Sequence, residues 1–226
     1  MAFVEELIKQ GWLKTPAIIE AFRAIKRIDF MPPEIQELAG LNEALPIGYN
    51  QTISQPLTVA FMLELLQPEA GEKILDVGSG SGWTSALLAY IVSGGELKSK
   101  IKYQKLKING KVIALEIIPE LKTFGERNAE KYRYVSEGII RFICADGSKG
   151  YAKEAPFDKI LASASAQEIP LAWKDQLKIG GRIVTPVGNS IWLLIKKGKD
   201  DFEEKEFPGF VFVPLISKQR TENNEQ

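Results

Sequence analysis

A glycine-rich turn is the first feature of the sequence that points to chemistry. Gly78, Gly80 and Gly82 alternate with serines. A short apolar run at 73–77 precedes them, and a helical pattern at 84–92 follows them. Glycine lets a backbone turn sharply and approach a ligand closely, and a turn that joins a strand to a helix commonly binds a nucleotide. We therefore expect a nucleotide-like cofactor at this turn.

Acidic and aromatic residues beside the turn narrow the choice of cofactor. Asp76 would place a negative charge next to the pyrophosphate of a dinucleotide. Trp83 stands where the dinucleotide fingerprint requires a small residue. Both residues disfavour NAD. S-adenosylmethionine carries a sulfonium and an amino group and no phosphate, so it suits an acidic strand end, and it is the cofactor that the sequence predicts.

Two further acidic residues lie at the ends of the next predicted strands. Glu116 ends the apolar run at 112–117, where a carboxylate is expected to bind ribose hydroxyls. Asp146, followed by Gly147, comes after the run at 139–144 and is placed to accept a hydrogen bond from an adenine amino group. The alternative is that Glu116 and Asp146 cap the helices that follow them, and the two roles can coexist.

Composition excludes several kinds of chemistry. The 226-residue chain has no histidine, which removes His general bases, His-activated nucleophiles and the common zinc sites. Its 29 basic residues balance 29 acidic ones, so no nucleic-acid surface is indicated. No apolar run approaches the roughly 20 residues of a membrane span. Cys144 is the only cysteine, so no intramolecular disulfide can form, which favours a reducing cytoplasm. We also expect a soluble monomer that binds no metal, nucleic acid or membrane.

The remaining apolar runs predict an α/β fold. Short apolar runs alternate with helical stretches, a pattern typical of a doubly wound, mostly parallel sheet of the Rossmann-like type. The predicted strands lie at 73–77, 112–117, 139–144, 159–162 and 182–186, and the predicted helices between them at 84–92, 119–132 and 171–177.

Four regions flank or interrupt this core. Helical patterns up to Asp29 predict an N-terminal cap, and the turn-rich segment 45–56 predicts an ordered loop. Residues 190–196 and 207–216 are expected to form a closing antiparallel strand pair. Lysines alternate with apolar residues at 98–110, which predicts a hairpin arm. Either its lysines protect a strand from aggregation, or the arm is a basic docking surface for acidic partners.

With these residues in view, the chain resembles the protein-L-isoaspartate (D-aspartate) O-methyltransferase family from about Leu13 to Ile216. The resemblance includes the segment Leu-Pro-Ile-Gly-Tyr-Asn-Gln-Thr-Ile-Ser-Gln-Pro at 45–56, in which Thr-Ile-Ser-Gln-Pro at 52–56 is specific to that family. The glycine turn at 75–82 is shared by most methyltransferases that use S-adenosylmethionine. Further matching segments lie at 146–150, 154–158, 176–182, 186–188 and 213–215.

This resemblance implies a protein repair methyltransferase that esterifies the α-carboxylate of L-isoaspartyl residues in damaged proteins, and in some members of D-aspartyl residues. It places Ser54 in the catalytic position and implies that Ile53, Ser54 and Val213 contact the peptide. The alternative for Ser54 is a capping residue for the helix that begins near Pro56. The expected cofactor contacts are Gln51, Thr52, Ile53, Ser54, Asp76, Gly78, Gly80, Gly82, Glu116, Asp146 and Gly147.

The predicted organisation is a single methyltransferase domain spanning 1–226. We divide it into regions with different expected roles. These are a helical cap (1–44), a substrate and cofactor loop (45–56), a cofactor-binding core (73–188) that contains the lysine-rich insertion (98–110), and C-terminal strands (189–217).

Some residues depart from the family pattern. Asn50 replaces a more usual glycine, and serines at 163 and 165 replace part of a more usual Thr-Ala-Ala-Ala run. These changes leave activity level and substrate range open. The alternative functions are a methyltransferase for RNA or a small molecule, and a catalytically silent peptide-binding module on the same fold.

Overall fold

The computed structural model describes residues 2–95 and 108–216, which form six α-helices and nine β-strands. The helices are α1 (Ala2–Lys9), α2 (Pro16–Ala24), α3 (Pro56–Leu66), α4 (Trp83–Val92), α5 (Pro119–Glu130) and α6 (Leu171–Gln176). The strands are β1 (Leu45–Gly48), β2 (Gln51–Ile53), β3 (Lys73–Val77), β4 (Lys111–Glu116), β5 (Ile140–Cys144), β6 (Phe157–Ala162), β7 (Leu177–Val187), β8 (Ser190–Lys196) and β9 (Phe202–Pro208).

Seven strands form one mostly parallel sheet in the order β5-β4-β3-β6-β7-β8-β9. The first five strands of this order (β5, β4, β3, β6 and β7) are parallel to one another, and β8 is antiparallel to both of its neighbours. The chain winds outward from β3 to β5 and then returns to β6, so the strand order reverses between β3 and β6. Such a reversal opens a crevice at the carboxyl ends of the strands. The prediction of a doubly wound sheet is confirmed.

The core strands are buried because helices cover both faces of the sheet. Residues 74–77 of β3 and 112–116 of β4 are buried throughout, as is usual for parallel strands between two helical layers. Helix α4 is apolar along most of its length and lies between the sheet and the N-terminal cap. Phe22 of α2 packs edge-to-face on Trp83 of α4, with ring centroids 5.6 Å apart. The cap is therefore attached to the helix that follows the glycine turn.

The cap is less helical than the sequence predicts. A helix up to Asp29 was expected, but α2 ends at Ala24 and a 3₁₀ segment follows at Arg27–Phe30. The change coincides with contacts from the end of α5: Lys26 N donates to the Tyr132 hydroxyl at 2.9 Å. That hydroxyl donates to Asp29 Oδ2 at 2.6 Å. Tertiary contacts therefore replace the last helical turn. A second 3₁₀ segment spans Pro33–Gly40.

The segment 45–56 is ordered, as expected, and contains a β-hairpin that the sequence did not predict. Strands β1 and β2 pair antiparallel, with Leu45 opposite Ile53. Tyr49 and Asn50 connect them, and both have a φ of 55°. Two consecutive positive φ angles are what a type I′ hairpin turn requires, and asparagine tolerates this conformation better than most residues. Asn50 therefore fits the turn at the position where the family more often has glycine.

The C-terminal strand pair is antiparallel, but the expected strand at 207–216 was wrong. The partner of β8 is β9, in which Phe202 pairs with Lys196 and Pro208 with Ser190. The sequence did not predict β9 because most of its residues are charged or polar. Charged residues are common in an edge strand, since they oppose pairing with other chains. The apolar residues that follow β9 leave the sheet, and Phe210 stacks on Phe61 of α3 at 5.3 Å.

Most of the lysine-rich insertion at 98–110 lies outside the described residues, and so does its expected pairing with β4. Within the described part of the chain, no helix is long and apolar enough to cross a membrane. The same residues contain no group of three or more histidine, cysteine or acidic side chains arranged to hold a metal ion.

Candidate active site

A cavity of about 360 Å³ opens at the carboxyl ends of β3 and β4. It lies beside the strand-order reversal, where open α/β sheets bind their ligands. Its volume is within the range of small-molecule sites. Most of its wall comes from the segments 51–55, 77–81, 115–118, 163–164 and 211–216.

The glycine turn forms the part of the wall between β3 and α4. Gly78 and Gly80 line the cavity, with φ angles of 76° and 49°. The backbone N–H groups of Gly78 and Ser79 both donate to the Leu115 carbonyl, at 2.9 and 3.0 Å. These bonds fix the turn against the end of β4. The backbone thus lies next to the space in which a cofactor was predicted.

Gly82 belongs to the same turn but is not part of the cavity wall. A Cβ atom at this position would lie 2.7 Å from the Gly125 carbonyl oxygen of α5. Its φ of 83° is also in the left-handed region. The absence of a side chain at Gly82 therefore lets α4 and α5 approach each other. A direct cofactor contact for Gly82 stays a prediction.

Glu116 lines the cavity at the end of β4, and both of its carboxylate oxygens accept backbone hydrogen bonds. Oε2 accepts from Gly80 N at 2.9 Å, which joins the strand end to the glycine turn. Oε1 accepts from Ile117 N and Ile118 N at 2.9 and 3.0 Å. Ile118 is the residue before α5. The capping alternative is therefore observed, and the side chain still borders the cavity, where a ribose was predicted to bind.

Asp76 lies behind the glycine turn, fully buried, and does not line the cavity. Its Oδ2 accepts a hydrogen bond from the Ser85 hydroxyl, and its Oδ1 is buried without a partner among the described residues. Burial raises the pKa of Asp76 to about 7. The Ser85 hydrogen bond opposes this rise, and the charge of Glu116 adds to it. Asp76 was predicted to bind the cofactor, but in this structure its side chain does not border the cavity in which the cofactor was predicted.

Asp146 and Gly147 follow β5, and Asp146 does not line the cavity. Asp146 Oδ1 accepts from Ser148 N at 3.0 Å and from the Ser148 hydroxyl at 2.7 Å, so it caps a short 3₁₀ segment. Gly147 lines the cavity. A Cβ on Gly147 would lie 2.4 Å from Val77 Cγ1, so only glycine allows this close approach to β3. An adenine contact of Asp146 stays a prediction.

The second strand of the hairpin and the residues after it form the opposite part of the wall. The residues from Gln51 to Gln55 all line the cavity. Ser54 is half-buried, and its hydroxyl makes no hydrogen bond to any residue that the structure describes. The N-terminus of α3 is instead capped by Asn42, whose Oδ1 accepts from Leu57 N at 2.9 Å. The capping alternative for Ser54 is therefore not observed, and its hydroxyl is available to a ligand.

The chain after β9 completes the wall. Residues 211–216 line the cavity and run beside the segment that follows β6. Ser165 N donates to the Val213 carbonyl at 2.8 Å, and Leu215 N donates to the Ser165 carbonyl at 2.8 Å. Ser163, the other serine of the atypical run, also lines the cavity. The structure thus brings Val213 into the same cavity as Ser54, although 159 positions separate them in sequence.

Several wall residues were not identified as candidates from the sequence, among them Ser79 and Trp83. Ser79 and Trp83 line the cavity, and the Ser79 hydroxyl and Trp83 Nε1 are buried without a partner among the described residues. Buried polar groups nearly always have a partner, so these two groups are exceptions among the residues that the structure describes. The serine was visible within the glycine turn, and Trp83 was interpreted only as a departure from the dinucleotide fingerprint.

The strand order, the glycine turn and the acidic strand end at the cavity define a Rossmann-like methyltransferase fold. The solved structure of a putative protein-L-isoaspartate O-methyltransferase from Plasmodium falciparum, in complex with S-adenosyl-L-homocysteine, matches with a TM-score of 0.79 and 22% identity. The match covers 95% of this chain and 97% of that one. At this identity the similarity shows the fold.

Sequence comparison defines the family. The family model described as protein-L-isoaspartate(D-aspartate) O-methyltransferase matches residues 1–220. A protein-L-isoaspartate O-methyltransferase from Methanopyrus kandleri is 37% identical over 220 residues, covering 96% of this chain and 90% of the relative. Another from Aeropyrum pernix is 39% identical over 222 residues, covering 96% and 79%. The chain belongs to the protein-L-isoaspartate(D-aspartate) O-methyltransferase family, so the resemblance inferred from the sequence is confirmed.

Proposed function

We propose that this protein transfers a methyl group from S-adenosylmethionine to the free α-carboxylate of L-isoaspartyl residues in damaged proteins and peptides. The observation that carries the proposal is the family match across residues 1–220. The cavity supports it, because the family-specific segment and the glycine turn form parts of one wall. D-aspartyl residues, which the family description also names, are included as a second acceptor to be measured.

The residues around the cavity fit S-adenosylmethionine. Glu116 offers a carboxylate for ribose hydroxyls. Glycine backbone at Gly78 and Gly80 leaves room for close approach. When bound, S-adenosylmethionine supplies an electrophilic methyl group on a positively charged sulfur.

The proposed acceptor explains why the chain can act without histidine. A carboxyl group has an unperturbed pKa of about 4, so the isoaspartyl carboxylate is already ionised at neutral pH. No general base is then needed to generate the nucleophile. The chain contains no histidine at any position. The protein's task is therefore to bind the carboxylate and hold it in line with the methyl group.

We assign this orienting role to Ser54. Its hydroxyl has no described protein partner, so it can donate a hydrogen bond that aims one carboxylate oxygen. Apolar wall residues such as Ile53, Leu115 and Val213 help to exclude water from the cavity. Exclusion of water and fixed orientation both favour a displacement in which opposite charges neutralise each other. Orientation alone is worth about 7–11 kcal/mol in favourable model reactions.

The product of this transfer explains the link to repair. A carboxylate oxygen is a poor leaving group, and esterification converts it into a methoxide, which leaves more readily. The backbone nitrogen of the following residue then attacks the ester carbonyl, and methanol is released. The resulting succinimide is hydrolysed partly to ordinary aspartate. These later steps need no residue of this protein.

Incorporation of labelled methyl groups tests the proposed class of substrate. Purified protein is incubated with labelled S-adenosylmethionine and, in parallel, with an isoaspartyl peptide, a D-aspartyl peptide, the matching L-aspartyl peptide and RNA. We expect base-labile label in the isoaspartyl peptide and none in the L-aspartyl peptide or the RNA. Label in RNA alone would overturn the proposal in favour of an RNA methyltransferase. Cofactor binding by calorimetry without transfer to any acceptor would favour a silent binding module.

A further inference from the structure

Arg27 is a buried arginine whose partners are all backbone carbonyls. It begins the 3₁₀ segment at Arg27–Phe30, and only 1% of its surface is exposed. Nη1 donates to the carbonyls of Ala39 and Leu41 at 3.4 and 2.8 Å. Nη2 donates to those of Glu43 and Ser54 at 2.6 and 3.2 Å. One guanidinium therefore contacts four carbonyls from two separate stretches of chain.

No ion pair joins Arg27 to a carboxylate among residues 2–95 and 108–216. Burial lowers the pKa of Arg27 to about 10, so the side chain stays charged at neutral pH. Its Nε is buried without a described partner, and its Cζ lies 5.6 Å from the centroid of the Trp83 ring. A buried cation without an anion is costly. A contribution to general stability therefore does not explain why a charged side chain occupies this buried position.

The carbonyl partners of Arg27 lie on either side of the β1–β2 hairpin. Residues 39–43 lead into β1, and Ser54 directly follows β2. The guanidinium thus connects the two ends of the hairpin to each other and to the cap. The ring of Trp83, which it also contacts, belongs to the cavity wall beside the glycine turn. Arg27 consequently links the hairpin side of the cavity to the glycine side without lining the cavity.

We propose that Arg27 is a positioning residue for methyl transfer, whose guanidinium clamps both ends of the β1–β2 hairpin and fixes the Ser54 backbone so that the Ser54 hydroxyl meets the substrate carboxylate. This inference rests on the proposed function and on the role proposed there for Ser54. The clamp requires the planar guanidinium, because its several donors point in fixed directions and reach separate acceptors. A lysine at this position keeps the charge but presents one ammonium, so it cannot hold both ends.

Arg182 provides a matched control. Its Nη1 donates to the Leu65 carbonyl at 2.8 Å, an arginine–carbonyl bond that joins β7 to α3. Neither Arg182 nor Leu65 lines the cavity. Substitutions there remove the same kind of bond from a place that does not touch the hairpin.

The variants Arg27→Lys and Arg27→Met are compared with the control variants Arg182→Lys and Arg182→Met. Three measurements are made on each variant. They are steady-state kinetics with an isoaspartyl peptide, S-adenosylhomocysteine binding by calorimetry, and hydrogen exchange of the backbone amides at 51–55. For both Arg27 variants we expect kcat to fall about tenfold or more, the loss expected for a lost charge-assisted hydrogen bond. Cofactor affinity should fall by a smaller factor than kcat, because Glu116 and the glycine turn are held by hydrogen bonds that do not involve Arg27. Exchange at 51–55 should be faster in the Arg27 variants and unchanged in the Arg182 variants.

A second readout is chemical rescue. Guanidinium ions at millimolar concentration should restore part of the turnover of Arg27→Ala, whereas ammonium ions at equal ionic strength should not. The proposal is overturned if the Arg27 variants keep wild-type kcat, or if the Arg182 variants lose as much turnover at equal stability. It is also overturned if exchange at 51–55 is the same in all variants. Failure of the wild-type protein to methylate the peptide would contradict the proposed function instead, and the exchange measurement would still decide whether Arg27 clamps the hairpin.

Discussion

The Ser85 hydroxyl donates a 2.5 Å hydrogen bond to Asp76, and this bond joins α4 to the strand that precedes the glycine turn. The second carboxylate oxygen of Asp76 is buried without a described partner. Burial raises the pKa of this carboxyl to about 7. One hydrogen bond is therefore too little to compensate for the removal of the charge from water, and the folded protein favours the protonated carboxyl below about pH 7.

This relationship predicts how stability depends on pH. The pKa of Asp76 is about 7 in the folded protein and about 4 when the chain is unfolded. Between these values the folded state binds a proton that the unfolded state releases, so the contribution of Asp76 to stability falls as pH rises from about 4 to about 7 and is constant above. Linkage puts the whole change on the order of 4 kcal/mol.

Asp76→Asn isolates this effect, because asparagine keeps an acceptor for Ser85 and cannot ionise. Urea unfolding of both proteins without cofactor, at several pH values from 5 to 8, gives the difference in their free energies of unfolding. We expect that difference to move in favour of Asp76→Asn as pH rises, and to level off above pH 7. A difference that is independent of pH would contradict the assignment.

Ser54→Ala tests the orienting hydroxyl. Loss of one preorganised donor typically lowers kcat by on the order of 10²-fold. We expect a loss of this size with the isoaspartyl peptide, and nearly unchanged affinity for S-adenosylhomocysteine. Ser136→Ala, at an exposed position far along the chain after α5, is the control and should keep wild-type kinetics. An equally large loss of cofactor affinity in Ser54→Ala would contradict a role confined to the substrate carboxylate.

Gly82→Ala tests whether the third glycine of the turn serves packing between α4 and α5. Its Cβ would meet the Gly125 carbonyl oxygen at 2.7 Å, whereas a Cβ on Gly71 would meet nothing within 4 Å. The two glycines have similar φ angles, 83° and 88°, so both substitutions incur similar backbone strain of about 1–2 kcal/mol. We expect Gly82→Ala to cost about 1–3 kcal/mol more in free energy of unfolding. Denaturant unfolding of the two variants measures this, and equal losses would refute the packing role.

The parts of the fold that the sequence predicted depend on local patterns. Buried parallel strands are continuous apolar runs, so β3 and β4 were recognisable, and the glycine turn marks its own position between a strand and a helix. The positions of Glu116 and Gly147 at the cavity could also be predicted, because the carboxyl ends of parallel strands meet at one edge of the sheet. The local sequence is sufficient to predict where a residue lies in the fold when that place depends only on the periodicity of its segment and on the order of the strands.

Other features depend on contacts between distant residues, and the sequence did not reveal them. Arg27 was not recognised from the sequence, because its carbonyl partners come together only when the hairpin folds back. Asn42, rather than Ser54, caps α3 because the preceding loop passes the end of that helix. The charged strand β9 lacks an apolar pattern because it lies at the edge of the sheet. Each case requires knowledge of the tertiary packing.

The most direct test of the proposed methyl transfer is to locate the methyl ester within one peptide that contains both an L-isoaspartyl and an ordinary L-aspartyl residue and has an amidated C-terminus. The peptide is incubated with the protein and S-adenosylmethionine, quenched in acid to preserve the ester, and fragmented in a mass spectrometer. We predict an ester on the isoaspartyl residue alone. Esters on both residues in equal amounts, or on the aspartyl residue alone, would contradict it.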